Sequence, residues 1–313
     1  MDKLYISSTP HIHQKGSSTR NIMLDVVIAL LPATVAGVVL FGLKALFVIL
    51  TCVASSVLAE FVFNLCVHKK QTIGDFSAVV TGLLLGLNLS TKVTIWQCIV
   101  GSVFAIIVVK CVFGGLGKNI ANPAITARVF MLLAFSSTVA GGAAPVIAEL
   151  TSSATPLVTL NQGAEAAKAI SVMDLFVGNH AGAIGETCAI ALLIGFVYLV
   201  ARKVIQWYVP MSYIATVFVC YFLFGGFNAT FALQHVLAGG LLLGAVFMAT
   251  DYVTTPNTGK GRVVFCVGAG LLTFVIRQFG DYPEGVSLAI LLMNLVTPYI
   301  SALTKKKTLG GVK

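Results

Sequence analysis

The stretch GLLLGLNLST at residues 82–91 returns as GLLLGAVFMATD at residues 240–251, an offset of 158 residues. A second pair of landmarks keeps nearly the same spacing, because Pro123 and Pro283 each open an apolar segment and lie 160 residues apart. Two matches at almost one offset indicate that the chain is a duplicated unit. Duplicated membrane bundles usually hold their site between the two halves, near the middle of the bilayer.

The composition predicts a membrane protein, since 58% of the 313 residues are hydrophobic and only 10% are charged. A soluble domain of this size could not bury so much apolar surface. Apolar runs near the bilayer-spanning length of about 20 residues recur along the chain. We predict an all-α polytopic membrane protein with about ten transmembrane helices in two inverted five-helix repeats. The predicted segments are 22–42, 45–67, 76–90, 94–113, 122–136, 184–202, 211–227, 232–249, 262–279 and 284–303.

The predicted organisation has five parts. They are an N-terminal arm (1–21), a first repeat (22–136), a long connecting loop (137–185), a second repeat (186–303) and a basic tail (304–313). The third, fifth and eighth segments are short or flanked by polar and glycine-rich stretches. Such segments at matching places in two halves are typical of broken helices that line a site.

Lysine and arginine positions predict the orientation, because positive residues favour the cytoplasmic side. An odd number of segments per half makes the second half enter the membrane upside down. With the N-terminus inside, fifteen basic residues fall inside, namely Lys3, Lys15, Arg20, Lys69, Lys70, Lys110, Lys118, Arg202, Lys203, Lys260, Arg262, Lys305, Lys306, Lys307 and Lys313. Only four fall outside, namely Lys44, Lys92, Lys168 and Arg277. Both termini are therefore predicted to be cytoplasmic, and the 137–185 loop extracytoplasmic.

Other function classes receive no support from the sequence. The net charge of +9 comes from short loops, so no nucleic-acid partner is expected. The first 20 residues are polar and do not resemble a signal peptide. The seven cysteines show no CxxC spacing and are expected to be small buried hydrophobic residues. No histidine pairs with a carboxylate on a helix face, so no metal site is predicted.

Four polar stretches could carry chemistry. The first is GGLGKNIANPA at 114–124, where Pro123 suits a helix start whose free N–H groups could receive an anion or a flavin carbonyl. Its alternative is an inner-face loop with a lysine. The second, at 251–262, contains Asp251, which could pair with Arg262, contact a cation or cap its own loop.

The third and fourth stretches lie around Pro283 and in the long loop. Glu284 follows Pro283 and is expected in the first turn of the last helix, where an acid is favourable. Asn294 and the pair Thr297-Pro298 in that helix are candidates to face the interior. In the loop, Pro156 biases Thr155 toward an extended backbone that presents its hydroxyl outward.

At these residues the sequence resembles a known family, the D subunits of Rnf-type ion-translocating electron transport complexes. These are sisters of the B subunits of sodium-pumping NADH:quinone reductases. The resemblance spans nearly the whole chain, and the short N-terminal arm favours the Rnf-type D subunits. Its most specific parts are GGLGKNIANPA at 114–124, ATDYVTTPNTGKGR at 249–262 and YPEGVSLAILLMN at 282–294.

The resemblance implies FMN bound through its phosphate to a threonine, attached by a flavin transferase outside the cytoplasm. The family's acceptor motif reads approximately Asp-x-x-Ser/Thr-Gly-Ala-Thr. Its positions here are Glu149, Ser152, Ser153, Ala154 and Thr155, with Glu149 in place of Asp and Ser153 in place of Gly. A second, non-covalent flavin such as riboflavin is also implied within the bundle. Its candidate contacts are Gly117, Lys118, Asn119, Asn122 and Asp251.

The function expected from the resemblance is electron relay within a ferredoxin:NAD oxidoreductase complex of a bacterial cytoplasmic membrane, coupled to Na⁺ or H⁺ movement. The chain would work beside the other subunits of that complex and would not be catalytic alone. A solute channel or secondary transporter without a redox role fits an inverted repeat equally well. A purely structural subunit is a further alternative.

Overall fold

The computed structural model describes residues 18–139, 142–145, 155–280 and 284–305. Within these residues the regular structure is helical, apart from one antiparallel bridge between Ala143 and Gly182. In the first half the helices are α1 (Thr19–Phe41), α2 (Leu43–Cys66), α3 (Ser77–Leu87), α4 (Ile95–Val103, continued by a π-helical stretch Phe104–Cys111) and α5 (Pro123–Ala134). A single 3₁₀ turn, Ile73–Asp75, precedes α3.

The connecting region contains short helices where the sequence predicted a long loop. They are α6 (Ser136–Val139), α7 (Pro156–Leu160), α8 (Ala164–Ala167) and α9 (Val172–Val177). In the second half follow α10 (Ala189–Ala201), α11 (Tyr208–Phe224), α12 (Ala229–Leu237), α13 (Leu241–Leu243, continued by a π-helical stretch Gly244–Met248), α14 (Gly259–Phe279) and α15 (Val286–Leu303). Each of the ten predicted segments thus has a helical counterpart.

The lengths and composition of the helices confirm a polytopic helical membrane protein. Helices α1, α2, α14 and α15 are long and apolar enough to cross a bilayer. The helix pair α12 and α13 passes the same test as one span with a bend of 69°. Shorter apolar helices form the remaining five segments. The predicted break in the eighth segment is therefore present.

Corresponding helices of the two halves make similar packing contacts. Helix α2 packs on α3 and α4, and α11 packs on α12 and α14. The halves meet where α1 lies against α10 and where α5 lies against α15. On the outer faces of the helices, large apolar side chains such as Val39, Val197 and Val219 remain exposed. Such faces suit contact with lipid.

Three hydrogen bonds from two side chains fasten the connecting region to the second half. The Asn161 amide donates to the Arg277 carbonyl on α14 at 2.9 Å. The Gln234 amide of α12 donates to the carbonyls of Ala167 and Ile170, at 3.0 and 2.7 Å. The region after Thr155 therefore lies on the helices of the second half.

Candidate cofactor-binding site

A pocket opens between the two halves and encloses about 770 Å³ of space, its open mouth included. The first half lines it with side chains from α1, α3 and the π-helical stretch after α4, and with Leu116, Asn119, Asn122 and Pro123. The second half lines it from the end of α10, from residues 204–205, from the π-helical stretch after α13 and from residues 250–253. Its position between the two halves is the one that the internal repeat predicts. Only about 80 Å³ of the enclosed space admits a water-sized sphere, which is less than the roughly 300–1,000 Å³ typical of cofactor pockets.

The pocket brings together three of the residues singled out in the sequence, namely Asn119, Asn122 and Asp251. Gly117 and Lys118, from the same glycine-rich stretch, are exposed and lie outside the lining. Asn119 is buried, and its amide oxygen has no hydrogen-bond partner in the protein. A buried acceptor without a partner is costly unless a ligand or water supplies a donor.

The helix start at Pro123 is less open to a ligand than the sequence suggested. Asn122 caps α5, because its side-chain oxygen accepts from the N–H groups of Ala124 and Ile125 at 3.0 and 3.4 Å. With its amide turned to satisfy both neighbours, Asn294 accepts from the Asn122 N–H at 3.2 Å and donates to the Thr254 carbonyl at 3.1 Å. Helix α15 thereby joins the two polar stretches, and Asn294 faces the interior as expected.

Asp251 caps its own loop. Its carboxylate accepts from the Val253 N–H at 3.3 Å and from the Thr254 hydroxyl at 3.0 Å. Arg262 donates instead to the Pro256 carbonyl, at 3.1 Å. Of the alternatives for Asp251, the structure therefore favours the loop cap at the pocket edge over a pair with Arg262.

A buried ion pair forms part of the pocket wall. Lys110, in the π-helical stretch, donates to both carboxylate oxygens of Glu60 at 3.0 Å and to the Ser77 hydroxyl at 2.6 Å. The Thr72 hydroxyl donates to the same carboxylate at 2.6 Å. A π-helical stretch is rare and often marks a functional site. Sequence reasoning assigned Lys110 to the basic inner loops, but the residue is buried inside a helix.

A second buried network centres on Arg128 of α5. Its guanidinium donates to the backbone and side-chain oxygens of Asn88, at 2.6 and 2.7 Å, and to Glu186 at 2.8 Å. It also pairs with Glu284. The expectation for Glu284 was wrong, because α15 begins at Val286 and the carboxylate pairs with Arg128 instead of capping the helix. The signal for this network was present in the sequence as one arginine inside an apolar segment.

Thr155 stands at the start of α7, where it has the extended backbone that Pro156 predicts (φ −66°, ψ 141°). It is half-buried, and Gly142 lies so close that a methyl group there would meet the Thr155 methyl at 2.6 Å. The following Leu157 is buried against the break between α12 and α13, next to Gly239. The motif residues Ser152, Ser153 and Ala154 lie outside the described residues.

The histidine and cysteine side chains are further possible ligands of a metal ion. Burial lowers the pKa of His180, whose Nδ1 lies 3.1 Å from the Ala181 carbonyl oxygen and donates to it when it carries a proton. All seven cysteines are free. Among the described residues, no group of three or more His, Cys, Asp or Glu side chains is placed to hold a metal ion.

Comparison with known proteins places this arrangement in a family. The model of the NQR2, RnfD, RnfE family matches residues 5–310. The D subunit of the Na⁺-translocating ferredoxin:NAD⁺ oxidoreductase complex of Acetobacterium woodii is 44% identical over 312 residues, covering 99% of this chain and 96% of the relative. The D subunit of the proton-translocating complex of Clostridium ljungdahlii is 40% identical over 317 residues, covering 97% and 96%.

A more distant relative covers the chain equally well. The D subunit of the ion-translocating oxidoreductase complex of Stutzerimonas stutzeri is 35% identical over 331 residues, covering 94% of this chain and 93% of the relative. These matches cover nearly the whole chain. The resemblance inferred from the three sequence motifs is thus confirmed, and the chain belongs to the NQR2, RnfD, RnfE family.

Proposed function

We propose that this chain is the flavin-carrying membrane subunit of an ion-translocating ferredoxin:NAD⁺ oxidoreductase complex, with FMN bound covalently to Thr155. Its relatives are named as D subunits of such complexes, for which Na⁺ and H⁺ are both given as the transported ion. The proposal therefore covers either ion. A bound flavin supplies the electron-transfer chemistry, and the chain supplies its position and electrostatic surroundings.

The observation that carries this proposal is the placement of Thr155. It combines the Ser-Ser-Ala-Thr sequence at 152–155 with an extended backbone at the first residue before a helix. The helix that follows is held on the second half through Leu157 and Asn161. A phosphoester between the Thr155 hydroxyl oxygen and the FMN phosphate would therefore attach the flavin to a fixed point. A flavin transferase acting outside the cytoplasm is the partner that this attachment requires.

The test is in-gel flavin fluorescence of the denatured protein, produced together with the flavin transferase. Thr155→Val removes the hydroxyl and keeps the methyl group that packs on Gly142, so we expect a dark band. Thr151→Val is the matched control, since Thr151 falls on a variable position of the motif, and it should stay fluorescent. A fluorescent Thr155→Val band, or a dark wild-type band, contradicts the assignment. A native protein without flavin absorbance would favour the channel or transporter alternative.

We also propose that the pocket between the halves holds a second flavin without a covalent bond. Two features support it, namely the position of the pocket between the repeats and the unpartnered oxygen of Asn119. That oxygen would accept from an N–H group of the flavin ring. Apolar side chains such as Val80, Leu84 and Phe247 would pack on the ring system.

The amount of flavin that acid releases measures the occupancy of this second site, because the covalent FMN stays on the precipitated protein. We expect Asn119→Leu, in the chain purified without other subunits, to lose most of the releasable flavin, by fivefold or more. Lys118→Met is the control, since its exposed side chain lies outside the pocket. Equal release from both variants would remove Asn119 from the site. Fluorescence at Thr155 should be unchanged in both.

A further inference from the structure

Glu186 is the most deeply buried carboxylate between the two halves, and half of it has no partner. The residue is 2% exposed. One oxygen, Oε1, accepts from Arg128 at 2.8 Å. The other, Oε2, is buried and has no hydrogen-bond partner in the protein. A desolvated carboxylate oxygen is costly in this state, because burial disfavours its charge.

The backbone fixes this carboxylate at a junction of both repeats. The segment before α10 bonds to the end of α3, with the Ile184 N–H on the Leu89 carbonyl at 3.0 Å and the Gly185 N–H on the Leu87 carbonyl at 2.8 Å. On the opposite side lies Gly240, where an added methyl group would meet Oε1 at 2.5 Å. Glu186 thus sits between the end of α3 and the break that precedes α13.

Four side chains set the charge around Glu186. Arg128 bonds to it directly and shares its guanidinium with Glu284. Arg277 of α14 and His180 of the connecting region also feel its charge. Arg277 gives its donors to the carbonyls of His235 and Ala238, at 2.8 and 3.2 Å, and makes no ion pair with Glu186. No described cation therefore reaches Oε2.

The space between these groups restricts what could bind there. Asn88, Glu284 and Ser287 complete the lining with oxygen atoms, while Met248 and Val286 close it with apolar ones. The gap is too small for a water molecule. An occupant must therefore be small, positively charged and free of its water shell. Two carboxylates beside one arginine suit a single charge better than a divalent ion, which takes more oxygen ligands.

We propose that Glu186 binds one bare monovalent cation, a proton or an alkali metal ion, at Oε2 between the two repeats. Glu284 provides access, since its side chain is 23% exposed while that of Glu186 is 1% exposed. The inference rests on the proposed function in one respect, namely that the chain works in an ion-translocating complex. It adds the residue at which the ion is held within the chain.

The experiment uses the whole purified complex in detergent, with Na⁺ exchanged against choline at constant ionic strength. The thermal unfolding temperature is measured as a function of Na⁺ concentration, and its increase detects binding of an alkali metal ion. In Na⁺-free buffer, the intensity of the infrared band of protonated carboxyl groups is measured as a function of pH, and it detects binding of a proton. We expect a saturable response in one arm for the wild type. Glu186→Gln should weaken it at least tenfold, whereas the exposed Asp174→Asn should leave it unchanged.

Assembly of the complex and its flavin content are measured for every variant, so that failure to fold can be distinguished from loss of cation binding. The inference is overturned if an assembled Glu186→Gln complex gives the same responses as Asp174→Asn in both measurements. It is also overturned if the wild type responds in neither measurement. If Glu186→Gln does not assemble, Glu284→Gln decides, because it keeps Glu186 and Arg128 together. A response weakened severalfold in that variant supports the site, and an unchanged one overturns it. In-gel fluorescence at Thr155 on the same samples reports the proposed function independently.

Discussion

At the scale of single residues, the protein holds the charge of Lys110 inside an apolar body by giving it several partners. Lys110 is 1% exposed, and its three N–H donors meet the two oxygens of Glu60 and the hydroxyl of Ser77. Asn64 and Thr72 extend the network, with the Asn64 amide on the Thr72 oxygen at 3.1 Å. A buried pair is weak evidence for net stabilisation, but removing one partner leaves the other charge uncompensated.

This asymmetry gives a prediction for Lys110. Lys110→Met should lower the free energy of unfolding by about 3–5 kcal/mol, because Glu60 is left buried without a counter-charge. Adding Glu60→Gln should restore a large part of that loss. Unfolding by denaturant titration in detergent, on the purified chain, measures both effects. The exposed Lys92→Met serves as control, and equal stability of Lys110→Met and Lys92→Met would refute the argument.

Residues whose geometry follows from their sequence neighbours were predictable, and residues defined by distant partners were not. Pro156 restricts the backbone of Thr155 wherever the chain goes, so its extended conformation could be read from two letters. Arg128 finds Asn88, Glu186 and Glu284 from three other parts of the chain. An arginine in an apolar segment indicates that it pairs with other buried groups, but the identity of those groups depends on the fold.

At the scale of helices, the repeated GLLLG stretch packs closely in both halves but occupies two different elements. In the first half it lies within the continuous helix α3, where a methyl group on Gly82 would meet the Cys52 carbonyl of α2 at 2.7 Å. In the second half it follows a break, and Gly240 lies against Glu186. The short third and eighth segments suggested broken helices at both places, but only the second copy follows a break.

The break itself depends on residues just before the repeated stretch. Thr81 precedes the first copy and stays helical, with its hydroxyl on the Ser77 carbonyl at 3.0 Å. Gly239 holds the equivalent place in the second copy and has a φ of +69°, a conformation that favours glycine and ends α12. Gly239 thus lies at the break, at the position where the continuous helix α3 has Thr81. The broken form lets Glu186 and Leu157 approach the backbone.

At the scale of the whole molecule, the charge distribution still favours one orientation once buried residues are set aside. Lys110 and Arg277, one from each predicted side, lie inside helices and are fully buried, so they say nothing about sidedness. The remaining basic residues keep the same excess on the predicted inner side. This orientation puts the Thr155 loop outside and the 114–124 stretch inside.

Cysteine labelling in intact cells tests that orientation across a single predicted crossing, α5. Lys118→Cys and Met173→Cys place thiols at exposed positions on its two sides. Both belong in a Cys66→Ser background, because Cys66 is the exposed one among the native thiols. A membrane-impermeant maleimide should label Met173→Cys in intact cells and Lys118→Cys only after lysis, because basic loops are retained in the cytoplasm. The reverse pattern would place Thr155 beyond the reach of an outer transferase. Labelling of both from outside would mean that α5 does not cross the membrane, and the two halves would then not be inverted.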